Sequence, residues 1–342
     1  MSSERYNSSG YALILAAVVV AMLALVLLTV ARVQGDVSPG LRAMRLEAAH
    51  EAAAQSAAAR IAFLLLTEAI GPRSVVIGGP REPGAAAGPM RGRGGRELRL
   101  DGRFYAVGDT PNVFASVQDE NGLLSLNAGD DAALARLLEQ LGLANAQSLA
   151  GALGDYVDED DLTRLYGAEE DVYRRARLAT PPNQALANRW SALGALNWRT
   201  ALSEEQKRQL WRNVSVSPRG AGLNVNTAPL TVLTAVIGNA RSARAIVARR
   251  EQAELRSLDD IEGLTGINTR ADGVVLATRP AAAFRLVIVV GRGGRGYESQ
   301  LVLADPNAVR PMYWRGGRLA AAMHGRDDFE SAESLPEQAF AP

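Results

Sequence analysis

The sequence predicts an α+β fold, in which a long N-terminal helix packs on an antiparallel sheet and a large all-α insertion domain separates the strands. Three observations carry that reading. Residues 11–31 and 41–70 are dense in good helix formers. Apolar, β-branched runs occur at 104–119, around a GDTPN turn, and at 284–305, around a Gly- and Arg-rich turn, so two hairpins are expected to share one sheet. Between them the chain changes to helix-period segments with recognisable caps.

The elements follow in chain order. Residues 1–10, MSSERYNSSG, precede the uncharged run YALILAAVVVAMLALVLLTVA at 11–31. A helix of that length rises ~1.5 Å per residue and would cross a ~30 Å hydrocarbon layer, so one transmembrane helix is expected. A secretory signal would carry a basic leader and a small-residue cleavage site, whereas Glu4 and Arg5 cancel and ARVQGDVSPG follows. A retained anchor is the better reading. Arg32, Asp36, Arg42 and Arg45 lie beyond the run and give little help with its orientation. Residues 32–77 are assigned to the outer part of the long helix, which should run from Leu41 to Ile70 after a kink at Pro39 and Gly40.

Residues 78–97 are rich in Gly, Pro and Arg and read as a loop, and 98–126 as the first part of the sheet. The helical insertion is placed at 127–280. There Asp130 caps a helix with Leu134, Leu137, Leu138 and Leu141 on one face, ending at Gly142. Ser203 with Gln206 forms a capping box, Thr227 is read as the cap of a helix with Pro229 in its first turn, and Ser257 with Asp260 opens a short helix ending at Gly263. Trp190, Trp198 and Trp211 are expected to build a local core. Residues 281–318 supply the rest of the sheet and 319–342 a tail.

Composition excludes several functions. Lys plus Arg is 37 and Asp plus Glu is 37, so no global field draws the chain onto a polyanion. There is no Cys, and the two histidines, His50 and His324, leave no credible nucleophile, base and acid set for a membrane-tethered hydrolase.

Two constellations remain. DYVDEDDLTRLYGAEEDVY, residues 155–173, holds Asp155, Asp158, Glu159, Asp160, Asp161, Glu169, Glu170 and Asp171 around Gly167, opposed before Arg174 only by Arg164. Carboxylates packed together raise one another's pKa, and a hard cation with oxygen ligands relieves that cost, so Ca²⁺ fits better than a transition metal. A solvated acidic turn fits the same residues. Paired carboxylates for acid and base catalysis would need a cleft, of which the sequence gives no sign. The second constellation, residues 222–267, reads as an Asn and Thr turn, a helix, a Gly hairpin and two further helices, similar to helix-hairpin-helix modules. Its hairpin IGNARSA, residues 237–243, lacks the second glycine that brings amides to a phosphate backbone, although Arg241, Arg244, Arg249, Arg250 and Arg256 make it locally basic.

In this order the features resemble the K subunit of the type II (general) secretion system, the large minor pseudopilin family. The marks are SSG followed by YALILAAVVVAM, the junction VQDENGLLSLN, DYVDEDD with GAEEDVY, and GLNVNTAPLTVL with SLDDIEGLTG. The resemblance implies a pilin-like fold and no enzymatic reaction. It implies cleavage by a prepilin peptidase after Gly10, leaving Tyr11 as the first, prepilin-like and methylatable residue. Leu15 stands at the fifth mature position, where most pseudopilins have glutamate, and an apolar residue there suits the uppermost subunit of a filament. The family further implies I and J type minor pseudopilins and the major pseudopilin as partners, single-pass inner-membrane anchoring with the bulk in the periplasm, and no nucleic acid. For the metal it implies calcium among Asp155, Asp158, Asp160, Asp161, Glu169, Glu170 and Asp171. The alternative is a membrane-anchored helix-hairpin-helix DNA-binding protein.

Overall fold

A computed structural model describes residues 9–78, 97–108, 112–217, 222–268, 275–291, 295–303, 312–318 and 332–335. The chain divides into two compact units, residues 1–55 and 56–342. The described part of the first belongs to one helix, α1 (Ser9–Thr67), whose last residues belong to the second. The expected break at Pro39 and Gly40 is absent, and helix runs through both residues. Within α1 the described side chains of the apolar run begin at 16 and stop at 29, and Val20, Met22, Leu25 and Leu27 among them are exposed. No helix is long and apolar enough, among the described residues, to cross a membrane.

In the second unit α1 contributes Ala57, Ile61, Leu64 and Leu65, all buried at helical spacing. The helix stops at Thr67 rather than Ile70. Gly71 and Pro72 turn the chain, and Ala69–Ile70 (β1) pairs antiparallel with Ser74–Val76 (β2), which pairs with Glu97–Arg99 (β3). The outer part assigned to 32–77 is therefore helix only as far as Thr67. Of the loop assigned to 78–97, residues 79–96 lie outside the described residues.

The main sheet starts with β4 (Asp101–Ala106) and β5 (Val113–Asp119), an antiparallel pair with a register shift between Asp101 and Phe104. Then the insertion begins: β6 (Leu124–Ser125), α2 (Asp131–Gln140), α3 (Ala146–Val157), α4 (Glu170–Arg175), α5 (Trp198–Ala201), α6 (Glu204–Asn213), β7 (Val214–Ser215), β8 (Leu223–Asn224), α7 (Leu230–Ile237), α8 (Ala240–Gln252), α9 (Leu258–Thr265) and β9 (Leu276–Ala277). The sheet resumes with β10 (Ala283–Val290), β11 (Arg295–Leu303) and β12 (Met312–Arg318), and the tail adds β13 (Glu333–Ser334). Among the described residues its order is β12-β11-β10-β5-β4-β13, six strands where the sequence promised four, antiparallel throughout except for the parallel β13 and β4.

Alternation sorts the sheet's two faces. Ala115, Val117, Phe284, Leu286, Ile288 and Leu301 are buried on one face, while Ser116, Gln118, Arg285 and Val287 alternate with them. The second set meets the insertion, because the Arg285 guanidinium donates to the carbonyls of Trp211 at 2.8 Å and Val214 at 2.6 Å.

The insertion has its own core, in which Leu134, Leu137 and Leu138 of α2, Leu149 and Leu153 of α3, Trp198, Trp211, Leu233 and Ile246 form one cluster. Its helices start where their caps stand. Asp130 accepts the Ala133 amide at 3.0 Å, and Ser203 and Ser257 both make complete capping boxes. Three expectations need correction. Trp190 is 43% exposed and meets Trp211 edge-on, so the buried tryptophan core is Trp198 with Trp211. Thr227 does not cap α7, whose N-cap is Pro229, and α9 runs to Thr265 with Gly266 as its cap in the left-handed region, φ +70°.

Candidate functional site

The acidic stretch lies on α3 and the loop that follows it. Asp155 sits at the end of α3, fully buried, and both its oxygens accept the backbone N–H of Arg164 at 3.3 Å. Glycine makes that approach feasible. A Cβ on Gly151 would lie 2.8 Å from the carbonyl carbon of Tyr166, and one on Gly167 would overlap the Asp155 carboxylate. Arg164 then turns inward and pairs with Asp131 at 2.7 Å, Asp158 at 2.9 Å and Asp155 at 3.4 Å. One cation neutralises part of a cluster that would otherwise repel itself.

It does not neutralise all of it. Glu169 is 5% exposed, and neither of its carboxylate oxygens has a hydrogen-bond partner among the described residues. Burial pushes this carboxyl up to about 7, helped by the charges of Asp155, Asp158, Asp161 and Asp160. Asp155 is also raised, by burial first and by Asp158 next among the effects that raise it, while the Arg164 amide and guanidinium hold it down in part. Two more buried oxygens lack a donor, Oδ1 of Asp158 and Oδ1 of Asn183. Asn183 enters the cluster from a later loop, donating through Nδ2 to Asp161 Oδ1 at 3.3 Å, with its backbone at φ +45°, a region that Asn tolerates. The unpartnered atoms of this cluster are thus all oxygens, from two carboxylates and an amide, which is the donor chemistry of a hard cation. No three Asp, Glu or His side chains converge in metal-ligand geometry, however, among the described residues.

The seven carboxylates expected as ligands separate into groups. Asp155, Asp158, Asp160, Asp161 and Glu169 act on one another electrostatically. Glu170 and Asp171 do not join them: both are exposed on α4, and they pair with Arg174 at 2.7 Å and Arg175 at 2.8 Å, each one helical turn on. That i,i+4 pattern was present in the sequence. Asn183 had no sequence signal, since it reaches the loop from outside the acidic run. Gly10, Tyr11 and Leu15 fall within α1 but outside the residues whose side chains are described.

A second constellation closes the insertion on the sheet. Asp119, the last residue of β5, is fully buried. Its Oδ2 accepts from Asn224 Nδ2 at 2.8 Å and from the Thr227 hydroxyl at 2.9 Å, and its Oδ1 accepts the amides of Asn121 and Ala281, both at 3.0 Å. Burial raises this carboxyl above the ordinary Asp range, and the four donors only partly offset the effect. Gly122 leaves room for the junction, because a Cβ there would stand 2.6 Å from the Thr227 hydroxyl oxygen. Next to it the fully buried Asn226 donates to the carbonyls of Leu255 and Thr278 and accepts the Leu255 amide. Buried Arg285 adds the pair with Glu120 at 3.1 Å. VQDENG and GLNVNTAP, far apart in sequence, are two halves of one polar lock.

The helix-hairpin-helix stretch is α7, α8 and α9, and it is engaged internally. Arg136 donates to the α7 carbonyls of Ala235 at 2.5 Å and Val236 at 3.4 Å, beside the hairpin. Asn239 caps α8 through the amides of Arg241 and Ser242, and buried Arg250 donates inward to the carbonyls of Val225 and Ala228. Arg241, Arg244 and Arg249 remain exposed.

A long N-terminal helix leading into an antiparallel sheet, with an insertion locked between two neighbouring strands that is mostly helical rather than all-α, since β6–β9 form two short strand pairs in it, defines a pilin-like α+β protein carrying an inserted domain. Residues 112–219 match the first domain of a family model described as type II secretion system (T2SS), protein K, and residues 223–279 match a second model of the same description. Over these residues the chain carries domains of the type II secretion system protein K family. Among solved structures it is similar to a chain in the crystal structure of the GspK–GspI–GspJ complex from enterotoxigenic Escherichia coli. Identity is 18% and the TM-score 0.49, over 81% of this chain and 96% of that one. No curated protein matches the chain.

Proposed function

We propose that this chain is a minor pseudopilin and occupies the tip of the secretion pseudopilus, where it starts or caps the filament that moves folded proteins across the outer membrane. The observation that carries this reading is the locked insertion. A bulky, mostly helical domain, bound through Asp119 and Arg285, obstructs addition of a further subunit only if its mount does not yield. The apolar Leu15 agrees with a subunit that has no neighbour above it, since a buried carboxylate without a partner amine would only cost energy.

In this reading residues 11–31 anchor the chain in the inner membrane, a prepilin peptidase removes residues 1–10, and the remainder faces the periplasm. The I and J type minor pseudopilins are its partners, as those named in the E. coli complex are for the GspK chain. The protein performs no reaction. Calcium belongs to the acidic loop, with Asp158, Glu169 and Asn183 as the residues that would hold it; when bound it would supply positive charge to oxygens that lack donors. Asp155 and Arg164 position the loop, while Glu170 and Asp171 take no part.

Co-purification tests the reading. The full chain should be recovered with I and J type minor pseudopilins from membranes, and with an N-terminus at Tyr11 by mass. Recovery as a free subunit with residues 1–10 still attached, in a host carrying the peptidase, would refute it.

A further inference from the structure

The loop that Arg164 anchors carries an unabsorbed feature on its outer side. Leu162, Leu165 and Tyr166 are 77%, 87% and 52% exposed, three large apolar side chains within five consecutive residues and outside any helix or strand. Single exposed apolar residues are common and need no cause. This segment differs in being held. The Leu162 amide donates to Asp160 Oδ1 at 2.9 Å, the Arg164 amide donates to Asp155, and the Gly167 amide closes a turn onto the Arg164 carbonyl at 2.9 Å. The close approach of Tyr166 to Gly151 seats the loop on α3. Arg164, the residue best suited to water, is spent inward on three carboxylates, while two leucines and a tyrosine stand in solvent.

We propose that Leu162, Leu165 and Tyr166 form a docking surface for a folded protein whose complementary face is an apolar recess rimmed by lysine or arginine. Charge selects that occupant. The exposed side chains leading into the loop are Glu159, Asp160 and Asp161, and the one basic residue among 158–171 points inward. An anionic lipid surface is repelled by this rim, and a second copy of the loop meets like charge. Rigid aromatic and aliphatic anchors on a fixed support lose little conformational freedom on binding, which favours such residues at protein interfaces. The proposal rests on the tip reading, because at a tip the insertion meets proteins that are not filament subunits.

The test uses the full chain in its membrane. A photo-crosslinking residue at Leu165 should give an adduct with one protein, identified by mass spectrometry, that the same residue at Leu264, 38% exposed on α9, does not give. That protein, purified, should bind the chain in detergent at least ~tenfold more weakly after Leu165→Asp, and more weakly with added salt or after Glu159→Lys. Leu165→Ala should show an intermediate loss, and all variants should melt with the parent. Adducts to lipid alone, to a second copy alone, or equally from both sites overturn the proposal, as does unchanged binding by Leu165→Asp. Loss of I and J type co-purification on Leu165→Asp would also overturn it, by making the loop a filament contact, and would leave the tip reading intact. Failure of the unaltered chain to co-purify with them would refute the tip reading instead.

Discussion

Replacing Asp119 with alanine should loosen the insertion from the sheet. The carboxylate accepts four hydrogen bonds between 2.8 and 3.0 Å from Asn224, Thr227, Asn121 and Ala281, and none of it is exposed. Alanine removes every acceptor and leaves the four donors in place. A buried donor without an acceptor costs ~1–3 kcal/mol, though Asn121 is half-buried and can turn to water. Relaxation of the junction recovers part of the remainder, so a net loss of about 3–5 kcal/mol is expected, as for other broken buried networks. With ~2–4 °C per kcal/mol for a large domain, melting should fall by roughly 6–20 °C. Asp119→Asn should also destabilise, since its amide nitrogen turns a donor toward two donors. Thermal melts of the purified chain, with limited proteolysis to locate the opening, read both. A loss under ~1 kcal/mol, equal to that of exposed Asp160→Ala, would refute the account of the lock.

Four further outcomes follow. Chelation should lower the melting temperature and open residues 155–173 to protease, and calcium a hundredfold above its dissociation constant should restore about 2.7 kcal/mol; Glu169→Ala and Asn183→Ala should mimic chelation, whereas Glu170→Ala should not, and identical melting in chelator and calcium would leave a solvated acidic turn. In chelator, stability should rise as pH falls from 8 toward 5.5, because Glu169, held up to about 7 in the fold, binds a proton that the unfolded chain releases near ~4.3, a gain of about 2 kcal/mol across that range; a flat or opposite profile refutes its burial. Gly10 replaced by a bulky residue should block processing and leave the subunit unassembled, read by mass and by secretion. Mobility shift should give DNA binding no tighter than a nonspecific ~10⁻⁴ M, and micromolar, salt-dependent binding abolished by neutralising Arg241 and Arg244 would favour the DNA-binding alternative.

What the sequence disclosed was governed by local chemistry. Asp130, Ser203 and Ser257 cap helices through bonds two or three residues away, so residue type and spacing were enough. Thr227 has the same local appearance and a different role, because its hydroxyl is taken by Asp119, 108 residues earlier. Likewise Ile70 looks helical until β2 offers it a strand partner, and Trp190 looks like core until the core closes over Trp198 and Trp211 without it. At the acidic loop, composition located the charge but could not allot it. Arg164 and Asn183 decide which carboxylates are already paired and which oxygens remain without donors.

The placement of the insertion explains why its mount must be polar. Asp119 and Phe284 are direct partners on adjacent strands β5 and β10, so the insertion leaves and re-enters the sheet at almost one point. Hung there by two chain segments alone, the domain could swing about the strand ends. Apolar contact would resist separation but has little directional preference. Hydrogen bonds fix direction. Asp119 ties the entry strand to Asn224 and Thr227 and to the exit at Ala281, while Arg285 ties β10 to Glu120 and to the carbonyls of Trp211 and Val214. The donors and acceptors come from four separate stretches of chain, so rotation about the strand ends would break several bonds at once. In the proposed tip role a domain that blocked subunit addition by its bulk would have to resist displacement sideways as well as detachment, and this set of directed bonds meets that requirement.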